Sequence, residues 1–305
     1  MRTALLHLDE ALMAQHRLRQ AVCDAGGRLL DYRDLGPALR LWSRPRQVDR
    51  LRRRLAAALP PSFGPMLVVS GSGDFHHITL LLLERAAEAA GRPVTLIHFD
   101  NHPDWVRFQP GVHCGSWVSG AARLPHVDKV ITVGVCSADV DQPDARVADL
   151  DIVEAGLLEI YPYRAPQSAP CLRVGDQEWP AIEAMGEAAF ADFLPTRIAT
   201  DAVYVTIDKD VLRAEDAGTN WDQGQTSVGF LKTLIGRACE GRWLIGADIV
   251  GDWSKAVYGG TLLAPFLKQG EAILDQPWRA PPPNRVEGNE AVNLELFELF
   301  QGLAR

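Results

Sequence analysis

The sequence predicts an α/β fold in three layers, with a mainly parallel central sheet held between helices. Three observations predict it. Short, nearly continuous apolar runs recur along the chain, amphipathic stretches of helical length separate them, and polar clusters follow three of the runs directly. Unbroken apolar runs suit strands covered on both faces, and alternating strand and helix signals suit parallel pairing through crossovers.

In chain order the strand candidates are Ala4–Leu8, Met66–Ser70, Thr95–Phe99, Lys129–Val133, Val203–Ile207 and Leu244–Ile249. Helix candidates lie near 45–59, 77–90, 180–193, 228–240 and 289–303. The last, NEAVNLELFELFQGL, carries apolar residues at helical spacing and opens on Asn289, a good N-cap. The stretch Leu150–Tyr163 reads as either helix or strand. The proline-rich pieces at 165–170 and 279–284 are too short to separate domains, so one domain over 1–305 is expected.

Composition bounds the function. The 305 residues include 31 basic and 39 acidic side chains, a net charge of −8, with 47% apolar residues. That mix excludes disorder and coiled coil and disfavours nucleic acid as a partner. The five cysteines (Cys23, Cys114, Cys136, Cys171, Cys239) are scattered with no CxxC pair, so neither a disulfide framework nor a zinc knuckle is expected. The N-terminus carries charges inside its apolar run, and no uncharged apolar stretch reaches the ~20 residues of a spanning helix. A cytoplasmic protein without a membrane partner is the expectation.

In parallel sheets ligands bind beyond the carboxyl ends of the strands. After Met66–Ser70 comes GSGDFHHIT, a glycine turn leading to His76 and His77. Alone, this is an ordinary turn with cap or core histidines. After Thr95–Phe99 comes DNHPDW, with Asp100, His102 and Asp104 at i, i+2 and i+4. Alternate side chains of a turned or extended segment project to one side, so three ligating groups converge. Carboxylate plus imidazole suits Mn²⁺, Fe²⁺ or Zn²⁺. Burying them with no cation is costly. After Val203–Ile207 comes DKD, with Asp208 and Asp210 at i and i+2. Six candidate ligands exceed one ordinary site and suit two cations sharing bridging carboxylates.

This set, in this order, resembles the arginase/agmatinase (ureohydrolase) superfamily, whose signatures are GGDHS, DAHxD and SxDxDxxDP. The resemblance runs from about Val68 to Asp252. It implies an arginase-like fold and two Mn²⁺ per chain. Asp100 and Asp208 would bridge the metals, and His102, Asp104 and Asp210 would each ligate one. The histidine of GGDHS falls on His76 if Phe75 is an insertion, with His77 the alternative. His113, in GVHCGSW, resembles the family's proton-relaying or substrate-touching histidine. His98 is expected to be a core histidine and Cys114 a small packed residue.

Three departures put the substrate in doubt while leaving the ligands intact. Arg213 stands where the third signature has Asp. The family's guanidinium-gripping Glu maps to Gly251, with Asp252 adjacent. The loop 217–227, with Trp221, Asp222 and Gln223, differs from the family's and reads as a substrate wall.

The expected activity is dinuclear metal-dependent hydrolysis of a guanidino C–N bond. Paired cations lower the pKa of a shared water, and Asp104 would move its proton to the departing amine while His113 exchanges it with solvent. Asp252, Asp222 and Trp221 are the candidate substrate residues. The expected substrate is a small cationic guanidino compound or an arginine-containing peptide. Urea is the product, and a homo-oligomer is possible. Two alternatives remain open here: a deacetylase-like, single-metal amidohydrolase of acylated amines, and a non-catalytic binding protein that keeps a structural metal.

Overall fold

Every residue of Val94–Phe99 and of Ala202–Asp208 is buried, as central strands covered on both faces require. The computed structural model describes residues 1–60, 64–141 and 143–303. Its central sheet has eight strands: β1 Arg2–His7, β2 Arg28–Asp31, β3 Met66–Val69, β4 Val94–Phe99, β5 Val127–Val135, β6 Leu158–Pro162, β7 Ala202–Asp208 and β8 Trp243–Val250. Their spatial order is β2-β1-β3-β8-β7-β4-β5-β6, and every neighbouring pair is parallel.

All six sequence-predicted strands form. The ambiguous stretch divides into a short helix, Leu150–Glu154, and strand β6. Strand β2 carried no signal because it is short, mostly exposed and at the sheet edge.

The longer helices are α1 His16–Asp24, α2 Pro45–Ala58, α3 Thr79–Ala90, α4 Val228–Cys239, α5 Ala264–Asp275 and α6 Pro283–Leu303. Helix α6 begins six residues before the expected Asn289, with proline in its first turn, where a missing N–H goes unneeded. The helix expected over 180–193 breaks at Gly186, whose φ of +90° separates Ile182–Met185 from Glu187–Phe193. Helix α3 packs on β8 and against the short helix Trp117–Ala121, while α1, α4 and α6 pack together, so the sheet is flanked by helices.

The order of strands decides where the chemistry lies. Strands β3, β8, β7 and β4 are consecutive at the centre, so the loops after β3, β4 and β7, far apart in sequence, open at one end of the sheet. One step below those loops, Val68, Asp248, Thr206, His98 and Thr132 stand in register across five adjacent strands. Four of these five are polar and all four are buried. They form the floor of the site.

Candidate metal centre

After β3 the chain turns through Gly71, whose φ of +82° a side chain rarely adopts, into a 3-10 turn over Gly73–Ile78. A Cβ at Gly73 would stand 2.5 Å from Asp208 Oδ2, so only glycine lets this loop approach β7. The turn sends the two histidines in different directions. His77 Nε2 bonds to Ser43 Oγ at 2.7 Å, away from the strand ends. His76 Nδ1 points among three carboxylates: Asp100 Oδ2 at 3.0 Å, Asp104 Oδ2 at 3.3 Å and Asp208 Oδ2 at 3.7 Å. None of these contacts has hydrogen-bond geometry, which leaves Nδ1 buried without a partner. Its other nitrogen is tied down. Nε2 lies 2.9 Å from Thr206 Oγ1, whose hydroxyl donates to Asp248 Oδ1 at 2.8 Å, so Nε2 carries a proton and Nδ1 is the nitrogen left to face a cation.

The loop after β4 is sharply turned. Asp104 adopts a left-handed φ of +51°, a conformation aspartate tolerates better than most residues. This turns its carboxylate back toward His76, and Trp117 Nε1 donates to Oδ2 at 2.6 Å to hold it. His102 Nδ1 faces Asp210 Oδ2 at 3.1 Å and Asp100 Oδ1 at 3.4 Å, and its Nε2 meets Asp222 Oδ1 at 3.0 Å. Asn101 fastens the loop: its backbone N–H donates to Asp210 Oδ1, and its amide donates to Asp222 and accepts from Cys136 N–H.

Two ligand clusters result, each with its donor atoms within 4.8 Å of one another: His76, His98, Asp100 and Asp104, and Asp100, His102 and Asp210. Asp100 belongs to both. Asp208 completes the enclosure at His76. His98 therefore corrects the expectation of a plain core histidine. Its Nε2 lies 2.9 Å from Asp100 Oδ2 and its Nδ1 3.0 Å from Thr132 Oγ1. The spacing held the signal, since i and i+2 on a strand share a face and His98 precedes Asp100 by two.

The electrostatics call for a cation. Burial, and then the Asp100 charge, push the Asp208 carboxyl up to about 7. The same two causes, with Asp208 added, raise Asp210 well above its ordinary value. Burial also opposes charge on Asp100, yet the His102, His76 and His98 rings around it hold it well below the usual carboxylate range. His76 and His102 each turn a second nitrogen to a fixed oxygen, Thr206 Oγ1 and Asp222 Oδ1, as metal-ligating histidines do. The all-oxygen-and-nitrogen donor set, the shared carboxylate and the unpartnered His76 Nδ1 fit a pair of divalent cations.

The family model for the arginase family matches residues 1–165, more than half of the chain. The chain belongs to the arginase family. Among solved structures, this arginase-family chain superposes on the arginase of Bacillus subtilis with a TM-score of 0.61, at 15% identity, over 100% of this chain and 98% of that one. Formimidoylglutamase of the same species gives 0.57 at 14%, covering 98% and 86%. A hypothetical agmatinase of Burkholderia thailandensis gives 0.57 at 18%, covering 99% and 87%. These likenesses establish the fold. An uncharacterised protein of Thermotoga maritima is 28% identical over 183 residues, 60% of this chain and 56% of that protein's length.

The structure also redraws the substrate side of this family member. A cavity of about 620 Å³ opens over the two clusters, and His113, Trp221 and Asp222 line it as expected. Asp252 does not. It is buried against Lys209 Nζ and accepts from Asn293 Nδ2 at 3.0 Å, so its charge is neutralised inside the protein. Gly251 leaves no room for a glutamate: with φ of +98°, a Cβ there would stand 2.3 Å from Lys209 N and 2.4 Å from Asp208 Oδ1. Asp222 is engaged by His102 and Asn101. Its place is that of an orienting carboxylate, not a free substrate acceptor. His113 is likewise committed. Gly115 N–H donates to its Nδ1 at 2.8 Å and its Nε2 meets Glu271 Oε1, so the ring is the neutral Nε2–H form with neither nitrogen free to relay a proton.

Residues outside the motifs complete the surroundings. Asp74 accepts from buried Arg40, from Trp221 Nε1 at 2.9 Å and from Gln276 Nε2 at 2.6 Å, tying the wall to α5. Helix α5 also brings Glu271 and Asp275 to the cavity. Neither stood out in the sequence, because a carboxylate on an amphipathic helix reads as a solvated face.

Proposed function

We propose that the chain is a dinuclear metal-dependent hydrolase that cleaves a guanidino C–N bond and releases urea. The observation that carries this is His76 Nδ1, buried and unpartnered, at the point where Asp100, Asp104 and Asp208 converge beside a second cluster sharing Asp100. His76, Asp100, Asp104 and Asp208 would hold one cation and His102, Asp100, Asp208 and Asp210 the other; Mn²⁺ is the proposed metal, and the donors also accept Fe²⁺ or Zn²⁺. Bound there, the pair supplies Lewis acidity and a water of lowered pKa.

The chain's own groups supply the rest. Trp117 occupies Asp104 Oδ2, which leaves Oδ1, the oxygen nearer Gly115, to take a proton during attack and return it to the leaving nitrogen. The pair His102–Asp222 and the row His76–Thr206–Asp248 keep the ligand rings in place through each turnover. Trp105, Phe108 and Trp221 give the cavity apolar walls that exclude bulk water from the planar carbon. The deacetylase-like alternative leaned on the His76–His77 pair, and that pair is split between the centre and Ser43.

The test is elemental analysis of protein purified without chelators, joined to urea assays on small guanidino compounds. Two metals per chain with urea released supports the reading. Metal-loaded protein that releases no urea from any of them overturns it.

A further inference from the structure

We infer that Glu271, on helix α5 and outside every motif of the metal loops, is the carboxylate that receives the substrate's cationic group. This rests on the guanidino reading above. A guanidinium in a buried cavity needs an opposing carboxylate, and a forked cation matches a carboxylate's two oxygens.

The acidic residues lining the cavity can be sorted by what already holds them. Asp100, Asp104, Asp208 and Asp210 face the His76 and His102 rings. Asp222 is committed to His102, a candidate metal ligand, and to Asn101, while Asp139 is an exposed residue that accepts from Ser137 Oγ at 2.9 Å. Position 251 accepts no side chain, and Asp252 is spent on Lys209. Asp275 lies exposed at the rim.

Glu271 remains, and it is placed rather than loose. Trp42 Nε1 donates to Oε2 at 3.0 Å and His113 Nε2 donates to Oε1, with the Glu271 side chain 25% exposed. Neither donor, an indole N–H or an imidazole N–H, uses up both lone pairs of the oxygen it meets, so each oxygen can accept a second bond. His113 also brings it next to the metal loop: the Cβ position of Gly115 lies 3.2 Å from His113 Nδ1 and 3.8 Å from Asp104 Oδ1. Among the described residues lining the cavity there is no lysine or arginine, and Lys268, whose charge acts on Glu271 from the same helix, gives its hydrogen bond to Ala38 O instead. His113 is thereby a positioning residue, which accounts for both of its nitrogens being engaged.

Helix α5 is itself well anchored. Lys268, buried on the same helix, donates to Ala38 O at 2.8 Å and lies over the Trp42 ring, and Gln276 reaches Asp74. The substrate-side carboxylate thus comes from an element that this chain ties back to the loops around the site, in place of the residue after β8.

The experiment uses the full chain. Methylguanidinium and its neutral isostere methylurea are titrated by calorimetry into metal-free wild type, Glu271→Gln and Asp275→Asn, and KM and kcat for urea release are measured on the metal-loaded proteins. Glu271→Gln is expected to weaken methylguanidinium binding and raise KM by about tenfold or more, with metal content and kcat nearly unchanged and methylurea binding unaffected. Asp275→Asn is expected to change either by less than about threefold, as for a rim charge. Trp42→Phe, which removes the donor to Oε2 but keeps a ring, is expected to raise KM in the same direction and serves if Glu271→Gln misfolds. Unchanged binding and KM in Glu271→Gln, with urea still released, would overturn the Glu271 assignment and leave the hydrolase reading standing. Lost methylguanidinium binding with no urea from wild type would uphold the assignment and refute the hydrolase.

Discussion

Replacing Asp208 by Asn is predicted to stabilise the metal-free protein and to destabilise the metal-loaded one relative to wild type. The Asp208 carboxyl is held at about 7, against 3.8 for an unburied aspartate, by burial and by Asp100. The folded state therefore binds the proton more tightly than the unfolded chain. Between pH 3.8 and 7 the unfolded state has lost this proton while the folded state retains it, so stability from this group falls as pH rises and levels off above 7. A difference of 3.2 pH units corresponds to ~4 kcal/mol, and allowing for relaxation among the coupled carboxylates we expect ~2–4 kcal/mol. Asparagine carries no such charge and still accepts the bond that Asp210 N–H gives Asp208 Oδ1 at 3.1 Å. Urea unfolding of chelator-treated wild type and Asp208→Asn, at pH 5 and pH 8, reads the effect directly. The variant should be more stable than wild type by about a third of the full effect at pH 5 and by all of it at pH 8. Adding Mn²⁺ at ~1,000 times its Kd should give wild type ~4 kcal/mol and reverse the order, since the variant has lost a carboxylate oxygen that would help hold the metal. Equal stabilities of the two metal-free proteins at pH 8 would refute the account of a carboxylate held ionised against its surroundings.

Two further predictions concern geometry. Gly251→Ala places a methyl within 2.4 Å of Lys209 N and Asp208 Oδ1 at a φ of +98°, so it should cost about 3 kcal/mol or more and lower metal content, read by thermal unfolding and elemental analysis. No change in either would mean that the residue-251 backbone moves freely. His76→Asn should lose metal, whereas His77→Gln, which keeps a group able to reach Ser43, should retain it. The opposite pattern would exchange the two histidines and undo the cluster.

Legibility differed from one part of the molecule to another. Strands such as Val94–Phe99 and Ala202–Asp208 were plain because full burial on both faces writes an unbroken apolar run into the chain. The DxHxD and DxD loops were plain because short-range spacing alone lets their side chains converge. His98 is buried on its strand as expected, but its i, i+2 relation to Asp100 also brings it against that carboxylate, a contact that an apolar strand around a histidine does not suggest. Asp252 was misread. Its fate depends on Lys209 and on Asn293, 41 residues away on α6, and no local pattern announces that contact.

By itself the sequence determined the parallel three-layer class, the three loops that carry the candidate ligands and the absence of a glutamate at position 251. Those follow from burial periodicity and from spacing within a few residues. Only the tertiary structure decided which of His76 and His77 turns inward, that Asp222 and His113 are engaged and not free, and that Glu271 arrives from α5. Each of these depends on which strands lie side by side and which distant side chains compete for one hydrogen bond. Such competition is settled by packing in three dimensions, where residues hundreds of positions apart meet.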